Sequence, residues 1–360
     1  MKILMLSSED ISALHGGAVH TLEVARSFVA EGHEVTLVSA GHKKEEEPFE
    51  HISRSMRRGP VASTWEAKGL EGQLRQRQFD VIYERQLIFG GLGAAWGKRW
   101  CCQVIFEVNS PHKQEIIHRY PWLTPFSWVL NYLEKKMFKE VTGVVTTHSD
   151  LVPSHYEGKV FVGPWAVRVN RESDQRPWEC LENRRVILVA GSFQSWHGHS
   201  RLLPILNALE NGPWALALAG GQGGVRERTA KELQDNLPFP VWDLGRLSQE
   251  KMHSAYRGAH VLLAPFELAL PDHPFYYSPF KILEALACSL PVVTNHYDNL
   301  KMLMDEEWCG HTVDSFEADA WANALKTILK EDKVKEGNGR AYEKRHSWRS
   351  HVSHFLKELL

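Results

Sequence analysis

A lysine and a glutamate three residues apart are the side chains of this sequence best suited to binding an anionic ligand. They lie in SPFKILEALACSLPVV, residues 278–293, whose spacing predicts a short helix that leads into a buried strand. Ser278 is the expected N-cap and Pro279 the expected first helical residue. Lys281 therefore falls in the first turn, where the helix dipole disfavours a cation unless an anion is bound beside it.

Such a helix start would suit a nucleoside diphosphate. Its N–H groups and the Lys281 ammonium attract a diphosphate, and the Glu284 carboxylate can accept hydrogen bonds from both hydroxyls of a ribose. The alternative is a solvent-facing Lys and Glu pair at helical spacing, which many helices carry.

Two glycines follow the first predicted strand, in HGGA at residues 15–18. They would let the backbone approach an anion at the start of the next helix, or they form only a tight turn. The spacing is not GxGxxG, and no acidic residue ends the second strand, so a dinucleotide fingerprint is absent. A second pair, Gly91 and Gly93, lies within a helical pattern, which favours helix packing instead.

The composition indicates a globular protein with more than one domain. The chain has 360 residues, 43% hydrophobic and 24% charged, and its formal net charge of −2 predicts no nucleic-acid partner. Its five cysteines include an adjacent pair and no CxxC, which favours a reducing compartment over disulfides or a zinc site. We recognise no signal peptide and no apolar run of transmembrane length, so a cytoplasmic location is expected.

Strands and helices alternate in two series, which predicts parallel sheets. The expected fold class is α/β, with two Rossmann-like domains that face each other across a cleft. Ligands in such sheets bind beyond the carboxyl ends of the strands. The expected boundaries are 1–164 for an N-terminal domain, 165–183 for a linker, 184–340 for a C-terminal domain, and 341–360 for a helix that packs back on the N-terminal domain.

Three segments carry more specific expectations. KKEEEPFEHISRSMRRG, residues 43–59, is charged and irregular, which predicts a solvated loop. SWVLNYLEKKMFKEV, residues 127–141, predicts an amphipathic helix with its apolar face in the core; the alternative is a peripheral contact with the inner face of a membrane that bears a lipid acceptor. A helical tail is expected from about 316 to 360, with a break near residues 337–339.

Five segments, in this order, resemble the retaining glycosyltransferases of the B fold, in the large family four that includes bacterial group 1 sugar transferases. They are GGAVHTLEVARSFVAEGHEVTLVSA (16–40), FDVIYER (79–85), VIFEVNSPHKQE (104–115), VAGSFQSWHG (189–198) and SPFKILEALACSLPVV (278–293). The likeness covers almost the whole chain. It implies the glycosyltransferase B fold and a nucleotide-sugar donor.

The resemblance also implies roles for residues of the donor site. Glu284 matches the family's second glutamate, which holds the donor ribose, and the N–H groups of Phe280 and Lys281 would hold phosphate oxygens. Lys281 is given a catalytic role as well, since it would stabilise charge on the leaving diphosphate. The expected donor-binding residues are Gly16, Gly17, Ser192, His197, Arg226, Arg246, Leu247, Ser278, Pro279, Phe280, Lys281 and Glu284.

On the acceptor side, the resemblance places Asn109 at the reaction centre, as a second catalytic residue. Two of the acceptor candidates, Arg85 and His112, could equally be ordinary surface or helix-end residues. The expected acceptor-binding residues are His20, Arg85, Glu107, Pro111, His112 and Glu115.

The sequence departs from the family pattern at the donor site. Tyr276 stands where the family usually has its first glutamate, which is similar to a subset with an SP-x-K form. Ser192 and His197 replace an arginine and a lysine of the diphosphate loop, and His197 carries charge only when protonated. Lys281 and Arg226 are the expected substitutes.

The expected reaction is transfer of a hexose from a UDP- or GDP-linked donor to a hydroxyl of a small-molecule, glycan or lipid-linked acceptor, with retention. In enzymes that the chain resembles, the leaving phosphate oxygen takes the acceptor proton, so no cofactor and no metal are expected. Two alternatives stay open: a sugar-nucleotide-binding partner subunit that has lost catalysis, and a nucleotide-sugar epimerase on the same fold. The base, the sugar, the acceptor and the oligomeric state stay open as well.

Overall fold

The computed structural model describes residues 1–13, 15–54, 62–85, 91–171, 184–210, 212–221, 224–267, 275–304, 306–330 and 336–360. These residues form two compact units. The N-terminal unit is Met1–Trp165 with Trp348–Leu360, and the C-terminal unit is Ala166–Ser347. Each unit contains its own parallel sheet.

Seven parallel strands form the sheet of the N-terminal unit, in the order β3-β2-β1-β4-β5-β6-β7. Residues 3–6 are fully buried, as expected for a strand covered by helices on both faces. The strand order reverses between β1 and β4, and a crevice at such a point is where ligands bind in open α/β sheets. The strands are β1 Lys2–Asp10, β2 Glu34–Ala40, β3 Glu50–Ser53, β4 Val81–Arg85, β5 Gln103–Val108, β6 Gly143–Thr146 and β7 Lys159–Val162.

The helices of this unit are α1 Gly16–Ala30, α2 Ala62–Arg75, α3 Leu92–Trp100, α4 His112–Arg119, α5 Ser127–Phe138 and, from the end of the chain, α13 Trp348–Leu359. Helix α13 is attached through Phe355, which is fully buried. The Phe355 ring centroid lies 5.8 Å from that of Tyr83 in β4 and 5.9 Å from that of Phe28 in α1. These aromatic contacts explain why the last helix belongs to the N-terminal unit.

Six parallel strands form the sheet of the C-terminal unit, in the order β10-β9-β8-β11-β12-β13. Here the order reverses between β8 and β11, so a second crevice is expected beside the carboxyl end of β8. The strands are β8 Arg185–Ala190, β9 Trp214–Ala219, β10 Val241–Asp243, β11 Val261–Ala264, β12 Val292–Asn295 and β13 Gly310–Val313.

Helices cover both faces of this second sheet. On one face, fully buried Trp321 packs with Leu325 and Leu216, and its Nε1 donates a hydrogen bond of 2.8 Å to the Ser315 carbonyl. The helices are α6 Leu202–Asn207, α7 Gly224–Asn236, α8 Gln249–Gly258, α9 Phe280–Ala287, α10 Asp298–Leu303, α11 Ala318–Lys330 and α12 Glu336–Arg345. Short 3₁₀ helices occupy Pro121–Phe126, Ser149–Leu151, Ser195–His197, His199–Arg201 and Glu307–Cys309.

The predicted α/β class with two Rossmann-like sheets is confirmed, but the expectation of a loop over residues 43–59 is wrong at residues 50–53, and residues 55–59 lie outside the described residues. Glu50–Ser53 form β3, which pairs with β2 at the sheet edge, and Phe49 is 4% exposed. The charged residues around this edge strand concealed it. The apolar residues of α5 are only partly core, because Met137 and Phe138 are buried whereas Trp128 and Tyr132 are exposed.

Two helix ends differ from expectation. Pro279 rather than Ser278 is the N-cap of α9, without a side-chain capping hydrogen bond, and the helix begins at Phe280. The tail does not break at residues 337–339, which lie inside α12; it breaks after Arg345, before α13.

Candidate functional site

The carboxyl ends of β8 and β9 come together through glycine backbone in the C-terminal unit. Gly191 has φ 145° and Gly220 has φ 100°, values that favour glycine. A Cβ atom on Gly220 would lie 2.3 Å from the Gly191 carbonyl oxygen, so no side chain fits there. This edge therefore presents main chain, and a ligand can approach it closely.

Lys281 lies beside this edge, in the first turn of α9. Its Nζ lies 4.4 Å from the centroid of the Phe266 ring. A Cβ atom on Gly191 would lie 3.4 Å from the Lys281 Nζ and 3.0 Å from the His197 Nδ1. The ammonium, the imidazole and the glycine backbone thus converge at the start of one helix, an arrangement suited to an anion.

The charge at this point comes from Lys281. Burial lowers the pKa of Lys281 to about 7. Burial, together with the charges of Lys281 and His199, lowers the pKa of His197 to about 3. At neutral pH His197 is therefore uncharged and can offer only hydrogen bonds, whereas Lys281 can be protonated.

Glu284 lies one turn further along α9, where two buried side chains of α8 contact its carboxylate. The Tyr256 hydroxyl donates to one oxygen at 3.4 Å, and the His253 Nε2 lies 3.6 Å from the other. The His253 Nδ1 accepts from the Asn170 N–H at 2.9 Å, which puts the imidazole proton on Nε2, facing Glu284. Burial raises the pKa of Tyr256 well above its usual value, so its hydroxyl remains a donor. Sequence reasoning missed both partners, because α8 carries no motif.

Other predicted donor residues of the C-terminal unit follow strands of the same sheet or lie in its helices. Arg226 forms an ion pair with Asp243, which also accepts from the Gly245 N–H at 3.1 Å. The guanidinium is thus engaged by a carboxylate. Ser192 follows β8 and Arg246 follows β10, and both are exposed. Leu247, next to Arg246, is half-buried, and Ser278 is 8% exposed before α9.

In the N-terminal unit, Glu107 is the centre of a buried polar cluster at the end of β5. Arg85 Nε donates to it at 2.9 Å, His20 Nε2 lies 2.9 Å from its other oxygen, and the Tyr83 hydroxyl donates to that oxygen as well. Burial alone would raise the pKa of Glu107, but His20 and Arg85, with the Tyr83 hydroxyl, lower it well below its usual range. The cluster therefore holds an ionised carboxylate inside the protein. Sequence reasoning did not assign a role to Tyr83.

Arg85 connects this cluster to the glycine turn. One guanidinium nitrogen donates to the Gly17 carbonyl at 3.0 Å and to Glu9 at 3.2 Å. A Cβ atom on Gly17 would lie 2.6 Å from the Glu9 carboxylate, so glycine is needed there. Gly16, the first residue of α1, precedes it. The structure thus connects Gly17, a predicted donor-binding residue, with Arg85 and Glu107, two predicted acceptor-binding residues.

His20 and Glu107 are inaccessible, whereas the acceptor candidates Arg85 and Pro111 are partly exposed. They are 1% and 0% exposed, and the His20 ring lies between Trp165 and Trp348, with centroids 4.7 and 4.8 Å away. Burial lowers the pKa of His20, which favours the neutral imidazole. Glu107 accepts from Arg85 and His20 contacts Glu107, so neither of these two side chains faces solvent.

Asn109 immediately follows β5 and is half-buried, two positions beyond Glu107. Pro111 is the N-cap of α4. The side chains of His112 and Glu115, on that helix, lie outside the described part of the structure. In the described part of the chain, no cluster of three His, Cys, Asp or Glu side chains could hold a metal ion. Nor does any helix of that part combine the length and apolar character needed to span a membrane.

Two family models match the chain, one in each half. The model described as Glycosyltransferase Family 4 matches residues 14–155, and the model described as Glycosyl transferases group 1 matches residues 184–331. Both halves of the chain match glycosyltransferase families, so the chain is a glycosyltransferase. The first match contains the Arg85 and Glu107 cluster of this glycosyltransferase, and the second contains Lys281 and Glu284.

Relatives and solved structures extend over nearly the whole glycosyltransferase. MJ1607 of Methanocaldococcus jannaschii, an uncharacterized glycosyltransferase, is 25% identical over 388 aligned residues, which cover 97% of this chain and 95% of that protein. Sucrose-phosphate synthase from Thermosynechococcus elongatus is 16% identical with a TM-score of 0.75, over 99% of this chain and 97% of that one. Anabaena HepE, in complex with UDP, is 14% identical with a TM-score of 0.71, over 100% of both chains. These likenesses show a GT-B fold.

Proposed function

We propose that this glycosyltransferase moves a hexose from a UDP- or GDP-linked donor to an acceptor hydroxyl, with retention of the anomeric configuration. The observation that carries the proposal is the convergence of Lys281, His197 and Gly191 at the start of α9. A cation, a helix N-terminus and accessible glycine backbone at one place suit a diphosphate.

Lys281 gives this site a charge that depends on its ligand. With a pKa near 7, the side chain is only partly protonated at neutral pH. A diphosphate beside the ammonium favours the protonated form. As the glycosidic bond breaks, negative charge grows on the diphosphate, and Lys281 with the N–H groups of the first turn of α9 stabilises it.

Glu284 binds the donor ribose in this proposal. Tyr256 and His253 orient the carboxylate. Two carboxylate oxygens have about four acceptor positions, so capacity remains for two ribose hydroxyls. The contacts from α8 would fix the carboxylate before the donor arrives, which reduces the ordering cost of binding.

The proton of the acceptor hydroxyl goes to the leaving phosphate oxygen. The acceptor oxygen bonds to the anomeric carbon on the face that the diphosphate leaves, and the departing oxygen takes the proton. Glu107 is a poor candidate for the base, because three side chains engage it and its pKa is low. No protein carboxylate is needed for this step.

We assign the acceptor to the N-terminal unit. Arg85 is fixed by Glu107, Glu9 and the Gly17 carbonyl, and Asn109 follows the strand that carries Glu107. Fixed polar groups of this kind would orient an acceptor hydroxyl. Small-molecule, glycan and lipid-linked acceptors all fit this description.

The neighbours support a nucleotide sugar as the donor class. Anabaena HepE has been solved with UDP, with UDP and glucose, and with UDP-glucose. We place the reaction in the cytoplasm. The cysteines at 101, 102, 288 and 309 are free, as expected in a reducing compartment.

A second candidate is a sugar-nucleotide-binding subunit without catalysis. Tyr276, at the position where a glutamate is expected, is 7% exposed. His197 is uncharged at neutral pH, because its pKa is about 3. The site therefore has fewer charged groups than the resemblance led us to expect. Lys281, the start of α9 and the backbone at Gly191 still favour binding of a diphosphate.

Donor hydrolysis distinguishes the two candidates. The full chain is incubated with UDP- and GDP-hexoses, released nucleoside diphosphate is measured, and the anomer of the released sugar is followed by NMR. Transfer with retention predicts slow release in which the first-formed sugar has the donor's configuration. Nucleotide binding without any release would favour the binding subunit, and the inverted anomer would exclude retention.

Variants connect this activity to the site. Lys281→Ala should reduce turnover by at least about a hundredfold, since fixed charge at a leaving group contributes several kcal/mol. Lys231→Ala removes an exposed lysine from α7 of the same unit and serves as the control. Equal activity of both variants would exclude Lys281 from the site.

A further inference from the structure

The N-terminal unit has an exposed aromatic surface that its core does not explain. Trp122, Phe126, Trp128 and Tyr132 are 66%, 51%, 68% and 63% exposed. In α5 only Met137 and Phe138 are buried. Large aromatic side chains this accessible, clustered within eleven consecutive residues, are typical of an interaction surface.

Lysines continue the same surface. Trp128, Tyr132, Lys135 and Lys139 succeed one another at helical spacing along and just beyond α5, and Lys136 is adjacent. All three lysines are exposed. We call Trp122, Phe126, Trp128, Tyr132, Lys135, Lys136 and Lys139 the aromatic–lysine face.

The lysines of this face are not neutralised locally. The nearby Glu140 forms an ion pair with Lys98 of α3. Over the residues described, no carboxylate lies within ion-pair distance of Lys135, Lys136 or Lys139. The face therefore carries net positive charge next to exposed indole, phenyl and phenol rings.

We propose that the aromatic–lysine face docks on the surface of an anionic lipid bilayer. Tryptophan and tyrosine rings suit the headgroup level, because one part of each ring is apolar and another is polar. Lysines on the same face attract anionic headgroups, and their apolar stems can lie along the bilayer while the ammonium groups stay in water. A protein partner fits less well, because protein–protein interfaces are enriched in aromatic residues but depleted in lysine.

Docking on a bilayer is independent of the donor chemistry proposed above. It requires only that α5 and the 3₁₀ helix Pro121–Phe126 meet the bilayer with one face. If the chain binds bilayers but no nucleotide sugar, only the proposed function fails.

Vesicle sedimentation tests the proposal. The full chain is mixed with sucrose-loaded vesicles of phosphatidylglycerol and phosphatidylcholine, or of phosphatidylcholine alone. We expect binding to the anionic vesicles that weakens as salt is raised, because screening reduces attraction between exposed charges. Equal or absent binding to the two vesicle types would overturn the proposal.

Two variants separate the aromatic and cationic contributions. Trp122→Ser with Trp128→Ser should weaken partitioning about tenfold or more, since two large rings no longer enter the bilayer surface. Lys135→Gln, Lys136→Gln and Lys139→Gln together should weaken binding to anionic vesicles by about fivefold per lysine and leave the weak binding to phosphatidylcholine unchanged. All of these side chains are exposed, so folding should be preserved, which circular dichroism checks.

Matched controls lie in the C-terminal unit. Met302→Ser removes an apolar side chain that is 59% exposed. Lys231→Gln, Lys251→Gln and Lys330→Gln remove the same charge from exposed positions in α7, α8 and α11. If these controls weaken binding as much as the variants of the face, the proposal is wrong. If the unmodified chain is a dimer that binds no vesicles, and the tryptophan variant is a monomer, the aromatic–lysine face contacts a second copy of the chain instead of a bilayer.

Discussion

Gly191 and Lys281 approach each other so closely that a Cβ atom on Gly191 would lie 3.4 Å from the Lys281 Nζ. Gly191 follows β8 and Lys281 lies in the first turn of α9, so residues far apart in sequence meet at one place suited to an anion. This relationship is the basis of the proposed donor site, and it can be tested by changing either residue.

Gly191→Ala should weaken binding of a nucleoside diphosphate by about tenfold or more. The added methyl would occupy space beside Lys281 and His197, and φ 145° is strained for alanine. Titration calorimetry with UDP and GDP measures the effect. Gly337→Ala, in α12, is the control, because a Cβ atom there meets nothing within 4 Å. Unchanged affinity of Gly191→Ala would show that this backbone does not face the ligand.

Lys281→Met should stabilise the ligand-free protein most at low pH. Burial lowers the folded-state pKa of Lys281 to about 7, from an unfolded value of about 10.4. Between these values the unfolded chain binds more protons, so the lysine's destabilising effect is full below pH 7 and disappears as pH rises towards 10. The gain in Tm of the variant should shrink over that range.

Lys231→Met provides the comparison for that experiment, because Lys231 is exposed. Thermal unfolding from pH 6 to pH 10 should show a nearly constant difference in Tm between Lys231→Met and wild type. If the gain in Tm of Lys281→Met is independent of pH, the pKa of Lys281 is the same in the folded and unfolded states, and burial does not lower it.

Glu284→Ala should raise the KM for the donor by about tenfold to a hundredfold, since it removes hydrogen bonds to a charged group. Tyr256→Phe should raise it less, because it only releases the carboxylate from one donor. Steady-state kinetics gives both values, and Glu232→Ala, an exposed change in α7, is the control. If Glu284→Ala has the same KM for the donor as the control, Glu284 does not bind the donor ribose.

Glu107→Gln should destabilise the protein by about 3 kcal/mol at neutral pH, because Arg85 would lose its fully buried charged partner and keep only Glu9. The low folded-state pKa means that the carboxylate contributes stability above its unfolded pKa of about 4.3 and loses it as pH falls through the folded value. The difference in free energy of unfolding between Glu107→Gln and wild type should therefore decrease as the pH falls below about 4.3.

Urea denaturation at several pH values measures this difference. Glu34→Gln, which alters an exposed pair with Lys2, should change stability by no more than about 0.5 kcal/mol. A difference for Glu107→Gln that stays constant from pH 7 to pH 3 would argue against a low pKa.

Local patterns were sufficient to predict the alternating elements and the position of Lys281. Apolar runs such as residues 186–190 identify buried strands, and a cation in a first turn is visible in the sequence itself. The N-cap of α9 was misplaced by one residue, an error within the usual uncertainty of helix ends.

Contacts between distant segments could not be predicted in the same way. Tyr256 and His253 reach Glu284 from another helix, and Tyr83 reaches Glu107 from a neighbouring strand. β3 was missed because charged residues surround a four-residue edge strand in which only His51 and Ile52 are half-buried. The apolar pattern of α5 predicted a buried face, but the same pattern also suits an exposed interaction surface.

A crystal structure of the full chain with a nucleoside diphosphate tests the donor site most directly. We predict a phosphate oxygen within hydrogen-bonding distance of the Lys281 Nζ and of an N–H group in the first turn of α9, with the ribose hydroxyls on Glu284. A nucleotide bound away from α9, with Lys281 still against Phe266 and Glu284 contacted only by α8, would contradict the account.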